Sequence, residues 1–156
     1  MGNTTHQDDL RLRQALEASG QRFTEQRAAV YRFLGHTESH PNADEVFLAV
    51  RHEVPGISLA TVYKSLETLV SCGLALKLTY GDGSARYDGR TEPHHHARCL
   101  ACGRVLDIPG TLPEDAVFEV QKDVGTFHVT GVRLELTGFC DGCHDNTPTG
   151  MTPAQA

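Results

Sequence analysis

Four of the five cysteines fall into two Cys-x-x-Cys pairs, Cys99–Cys102 and Cys140–Cys143, and His94, His95 and His96 stand immediately before the first pair. Four thiolates from two such pairs close a tetrahedral zinc site, whereas one pair alone would equally suit a thiol switch. Between Cys102 and Cys140 the gap is wider than in a compact zinc ribbon, so an inserted helix and strand are expected there. Gly103 and Gly142 are expected to supply the permissive backbone that the two tight turns need. Alternate residues of a strand project to one side, so His94 and His96 can offer two imidazoles to one ion while His95 points away. Asp88 lies just upstream and Asp107 just downstream. Carboxylate with imidazole suits Fe(II), Mn(II) or Zn(II); a solvated histidine cluster is the plainer alternative. Cys72, at the end of an expected helix, reads as a small buried hydrophobe.

The elements that would position these ligands form two groups. With 156 residues the chain makes one or two small domains, whose limited cores a structural metal would help. In residues 1–88, Leu10, Leu12 and Leu16 fit one helix closing at Gly20, and Thr24 can cap a second running through Val30, Tyr31 and Leu34 to Gly35. Asn42 opens a third with Glu45 in capping-box position and Val46, Phe47 and Val50 as its apolar stripe. Ser58 starts a fourth, with Leu59, Val62, Leu66 and Leu69 inward and Gly73 as its stop. An alternating run over residues 74–80, a Gly81-Asp82-Gly83 turn and a return strand through Arg86 and Tyr87 complete a winged helix.

Residues 90–145 predict a small α+β domain: strands flanking Cys99 and over residues 105–108, a helix from Pro113 through Val117, Val120 and Val124 to Gly125, and a final strand with Val132, Leu134 and Leu136 on one face. The Pro/Thr/Gly-rich tail, 146–156, is expected to be disordered. A winged helix-turn-helix domain over 1–86, a hinge over 87–92 and a metal-binding domain over 93–145 follow as the expected plan. Neither a membrane-spanning run nor a signal segment is visible, so a cytoplasmic chain is expected, in which paired cysteines bind metal rather than each other. The formal net charge is −6, with 9 Lys+Arg against 11 Asp+Glu up to Asp88 and 5 against 9 beyond it. Any DNA contact must therefore use a few placed cations rather than a basic surface.

Several runs together resemble the ferric uptake regulator family: Arg22-Phe23-Thr24-Glu25-Gln26-Arg27, His40-Pro41-Asn42-Ala43-Asp44-Glu45, Ile57 to Leu69, and the His-x-His-x-x-Cys-x-x-Cys-Gly block from His94 to Gly103. The resemblance covers roughly residues 10–145, in the family's own order. It implies a homodimeric, metal-dependent transcriptional repressor with a C-terminal dimerisation domain. Cys99, Cys102, Cys140 and Cys143 match the structural zinc ligands; His40, Asp88, His94, His96 and Asp107 match the ligands of a regulatory Fe(II) or Mn(II) ion. Iron- and zinc-uptake branches usually place glutamate near one or both carboxylate positions, whereas two aspartates resemble the peroxide-sensing branch, in which Fe(II) and peroxide oxidise histidines matched here by His40 and His94. Where many members build a third metal site this chain has Pro93 and Gly131-Val132, so that site is not expected, although His95 and His128 remain spare imidazoles.

For operator DNA, the N-terminal part of the fourth helix offers Ser58, Thr61, Tyr63 and Lys64, with Arg22 and Arg27 beside the second helix. Lys77 and Arg86 on the wing are weaker phosphate-contact candidates. The expected function is a peroxide-sensing repressor, with a manganese- or iron-responsive uptake regulator as the alternative. A small metalloenzyme, from another class, is disfavoured because five protein ligands leave little room for substrate. Neither enzymatic activity, a small organic substrate nor a membrane partner is expected.

Overall fold

The computed structural model describes residues 2–80, 83–110, 123–128, 130 and 135–144. They divide into two compact units, Met1–Glu92 and Pro93–Ala156.

The first unit holds helices α1 (Gly2–Ala18), α2 (Glu25–His36), α3 (Ala43–Val50) and α4 (Leu59–Ser71), then strands β1 (Leu76–Thr79) and β2 (Ala85–Asp88). Helices α2, α3 and α4 each start on the expected cap: Thr24 accepts from the Arg27 N–H, Asn42 and Glu45 form a complete capping box, and Ser58 accepts from the Thr61 N–H. Two ends are closed by left-handed glycine. Gly20 (φ 66) follows α1 and Gly73 (φ 70) follows α4, and beyond each the next amide donates back to a carbonyl of the last turn, Gln21 to Leu16 and Leu74 to Leu69. By contrast, α2 runs one residue past Gly35 and ends at an extended Thr37.

Leu12, Leu16, Val30, Val46, Val62, Leu66 and Leu69 are fully enclosed and make the core of this unit, each worth roughly 1.5–3 kcal/mol in buried apolar surface. Leu10, on the same helix, is 47% exposed, because a stripe through Leu12 and Leu16 turns it away. Cys72 is half-buried against the same core. β1 and β2 pair antiparallel with Leu76 opposite Asp88, forming the wing. The expected Gly81-Asp82-Gly83 turn lies outside the described residues except for Gly83, whose φ is 78. Tyr87 and Asp88, placed in the expected hinge, are ladder residues of β2.

In the second unit, β3 (His95–Cys99) pairs antiparallel with β4 (Val105–Ile108) and parallel with β7 (Leu136–Gly138), giving the order β4-β3-β7. A small hairpin, β5 (Asp123–Val124) and β6 (Phe127–His128), and a short helix α5 (Asp141–His144) complete it. Val124, expected to end a helix, is a strand residue paired with Phe127: Gly125, at φ 62, opens a two-residue hairpin loop instead of stopping a helix. The rest of that expected helix, Val132 and Leu134 of the final strand, and the tail lie outside the described residues. Among the described residues of this unit only Cys99 and Val105 are buried. No helix among the described residues is long and apolar enough to cross a membrane.

Candidate metal centres and DNA-facing surface

The four-sulfur cluster is built from two different turns. Cys99 ends β3, its N–H donating to the Arg104 carbonyl at 2.8 Å, and its own carbonyl accepts from Gly103 at 2.9 Å. Gly103 adopts φ 70, so the first turn does use left-handed backbone. Gly142 does not: it lies within α5, and the second turn closes helically, with the Cys140 carbonyl accepting from Cys143 (2.8 Å) and His144 (2.9 Å). An Asp-Gly-Cys-His sequence following Cys140 can wind one helical turn and needs no positive φ.

The four sulfurs lie within 4.8 Å of one another, with Cys102 Sγ and Cys140 Sγ 3.8 Å apart. A tetrahedron with Zn–S bonds of about 2.3 Å has edges of about 3.8 Å, so the cluster fits zinc. Electrostatics agree. The backbone N–H of Cys102, followed by that of Cys140, holds the Cys99 thiol down to about 6. Cys143, crowded first by the Cys140 sulfur and then by that of Cys102, is pushed up to about 12. Four thiolates in this volume need a divalent cation to ionise together, and zinc supplies it.

A second donor set lies in the second unit. His96 is directly opposite Asp107 in the β3–β4 ladder. Asp107 Oδ1 is 3.2 Å from His94 Nε2 and 3.6 Å from His96 Nε2, and the two imidazole rings meet edge-on at 4.3 Å. The period-2 reading thus brings His94 and His96 to one carboxylate, with His95 opposite Ile108 in the ladder.

The first unit carries its own pair. His40 and Asp88 are both buried, with His40 Nε2 3.5 Å from Asp88 Oδ2. Local structure presents each. Pro41 and the Asn42 cap halt the chain ahead of α3, and the Pro41 carbonyl accepts from the Tyr87 N–H at 2.9 Å, which docks the His40 segment on β2. Asp88 ends β2, where its Oδ1 accepts from the Arg90 N–H at 2.7 Å. Gly89 follows because there is no space for a side chain: a Cβ there would come within 2.5 Å of the Leu34 carbonyl oxygen. Spacing alone did not reveal His40, which only the family resemblance singled out; its signal is a histidine two residues before a capping box.

On α4, Tyr63 is 45% exposed and Lys64 is exposed. A cleft of about 470 Å³ runs between the start of α2 and this helix, lined by Arg22, Arg27, Thr61 and Lys64 among others. Other expected contacts have internal work. Ser58 spends its hydroxyl on the α4 cap and on Thr61. Arg27 donates to the Arg22 carbonyl and reaches Gln21 and Thr68. Lys77 is paired with Glu67 at 2.6 Å, and Glu67 also accepts from the buried Tyr87 hydroxyl at 3.0 Å. Arg86 binds the His40 carbonyl and Glu45.

A winged helix-turn-helix unit joined to a small α/β unit with a four-cysteine zinc site defines a metal-dependent transcription regulator. The comparisons with known proteins name the family. The chain belongs to the ferric uptake regulator family, whose pattern it matches over residues 18–137. It is 39% identical over 132 residues, 84% of this chain and 87% of the relative, to the peroxide-responsive repressor PerR of Staphylococcus epidermidis. Its fold is that of the Helicobacter pylori ferric uptake regulator (TM-score 0.70, 21% identity, 91% of this chain and 95% of that one). It is also similar to a zinc-bound manganese uptake regulator (TM-score 0.62, 30% identity, 83% and 98% covered).

Proposed function

We propose that this protein is a cytoplasmic, homodimeric repressor that binds operator DNA when His40, Asp88, His94, His96 and Asp107 hold one regulatory metal, and that it senses peroxide through Fe(II)-catalysed oxidation of His40 and His94. The observation that carries this reading is the carboxylate type in both donor sets, Asp88 beside His40 and Asp107 beside His94 and His96. The relatives named peroxide-responsive repressors, 36–39% identical, support it. Bound Fe(II) supplies the electron that cleaves peroxide; Mn(II) in the same donors does not. The chain's own contribution is to draw ligands from both units, so that holding one ion fixes the geometry in which two copies of α4 reach adjacent half-sites. The uptake-regulator reading is favoured by the likeness to the manganese uptake regulator.

Peptide mass spectrometry decides between them. Zinc-loaded protein carrying Fe(II) under anaerobic conditions and pulsed with low peroxide is expected to gain one oxygen at His40 or His94, and the Mn(II)-loaded protein none. Unmodified histidines at full iron occupancy would reject peroxide sensing and leave the uptake regulator.

DNA recognition in this reading rests on Tyr63 against thymine methyls and on Lys64, Arg22, Arg27, Thr61 and Ser58 against phosphates or base edges. Lys77, Arg86 and Arg32 are already paired with carboxylates. Lys64→Ala is expected to weaken operator binding about tenfold. If Lys64 meets a phosphate, the log–log salt dependence should flatten by about one unit per protomer. An unchanged salt slope and affinity would remove Lys64 from the contact surface.

A further inference from the structure

Arg86 and Asp88 are alternate residues of β2 and share one face of it, yet Arg86 cannot bind a metal. Its guanidinium Nη1 donates to the His40 carbonyl oxygen at 2.8 Å and lies 3.2 Å from Glu45 Oε2. That carboxylate oxygen also accepts the Asn42 N–H at 2.7 Å, within the capping box of α3. One guanidinium therefore ties the strand that carries Asp88, the backbone of His40 and the start of α3. On the next residue the Tyr87 N–H binds the Pro41 carbonyl, so the strand grips the His40-Pro41 segment through a side chain and a backbone group in succession.

The geometry points to Arg86 as a positioning residue for the regulatory metal, one that holds His40 at its reach from Asp88. This rests on His40 and Asp88 being regulatory ligands. An imidazole on an untethered loop swings through several rotamers and backbone states, and each must be given up when a metal binds. Arg86 removes the backbone part of that freedom beforehand, and its pairing with Glu45 fixes the guanidinium itself. Groups that orient a ligand in this way are worth roughly 10–100-fold in metal affinity. The Tyr87–Pro41 bond and the capping box do not depend on the Arg86 side chain, whereas the tether on the His40 carbonyl does.

The test compares Arg86→Met, which keeps an unbranched stem, with Arg86→Lys, His40→Ala and the unaltered protein, all full-length and zinc-loaded. Mn(II) affinity is read by competition with a chelating indicator well below the melting temperature, alongside zinc content and metal-free thermal melting. Arg86→Met is expected to bind Mn(II) roughly 10–100-fold more weakly with its zinc intact, and Arg86→Lys, which keeps a charged donor but not the rigid planar guanidinium, to fall between. A lowered metal-free melting temperature with unchanged Mn(II) affinity would mean a merely structural arginine and overturn the assignment. Were Arg86→Met not to fold, an undiminished affinity in Arg86→Lys would overturn it equally. His40→Ala separates the two layers: wild-type Mn(II) binding there sinks the ligand reading itself. Lost binding in His40→Ala beside unaffected Arg86 variants sinks only the role given to Arg86.

Discussion

Cys99→Ser is expected to empty the four-sulfur site and unfold the second unit, Pro93–Ala156, while the first keeps its helices. Among the described residues of that unit only Cys99 and Val105 are buried, so apolar burial among them contributes little. Zinc contributes far more, with structural sites releasing roughly 10–16 kcal/mol on binding, as much as the whole folding stability of an ordinary domain. Amides of Cys102 and Cys140 hold the Cys99 thiol down to about 6, and its sulfur accepts the Cys140 N–H at 3.5 Å across the seam between the two turns. A serine hydroxyl stays protonated and is a poor zinc ligand. The measurement is zinc released per chain on denaturation, with limited proteolysis to locate the unfolded part. One zinc per chain and a protease-resistant second unit would overturn the expectation that losing this thiolate empties the site. The first unit, with its core through Leu12, Leu16, Val62, Leu66 and Leu69, should retain its helical signal.

Local rules reached furthest where a single residue decides the backbone. Thr24, Asn42 with Glu45, and Ser58 each mark a helix start, and Gly20 and Gly73 each a helix end, because capping chemistry is complete within four or five residues. The meeting of His94 and His96 at Asp107 was legible for a similar reason: a strand repeats every two residues, and a tight turn of five residues puts the next strand antiparallel. Gly125 shows the limit of that logic. A glycine at positive φ closes a helix or opens a hairpin, and the neighbouring pairing of Val124 with Phe127 decides which. Gly142 shows it too, since a Cys-x-x-Cys turn can close through a helical turn as well as through a left-handed residue. Contacts at long sequence separation left no local mark. Nothing near Arg86, Lys77 or Arg27 announces that these cations are engaged with the His40 carbonyl, Glu67 and the Arg22 carbonyl. Nor does anything near Leu136 announce that β7 joins β3 in parallel. A basic residue on a wing reads as a DNA contact until the acidic partner that occupies it is brought in from another element.

His96→Ala is expected to abolish metal-promoted DNA binding while sparing the fold. The imidazole stands opposite Asp107 in the β3–β4 ladder, its Nε2 3.6 Å from Asp107 Oδ1 and its ring 4.3 Å from that of His94. The ladder itself is made by the backbone, and the zinc turn begins three residues later at Cys99, so alanine removes the proposed ligand and leaves both in place. Losing a direct ligand should weaken metal binding by more than the roughly 10–100-fold that an orienting group is worth. The coupling between metal and DNA follows by linkage. A regulatory ion that raises DNA affinity typically does so by about 5–150-fold, and the variant should bring that ratio to about one at Mn(II) concentrations that saturate the unaltered protein. Operator affinity is measured with and without Mn(II) for each protein, with zinc content as the check on folding. The ratio is taken within one variant, so a general loss of stability, which lowers both affinities together, cancels from it. An enhancement that survives His96→Ala with zinc intact would mean that the regulatory ion does not use the His94, His96 and Asp107 set. It would then have to be sought among other donors of the chain, whatever its chemistry toward peroxide.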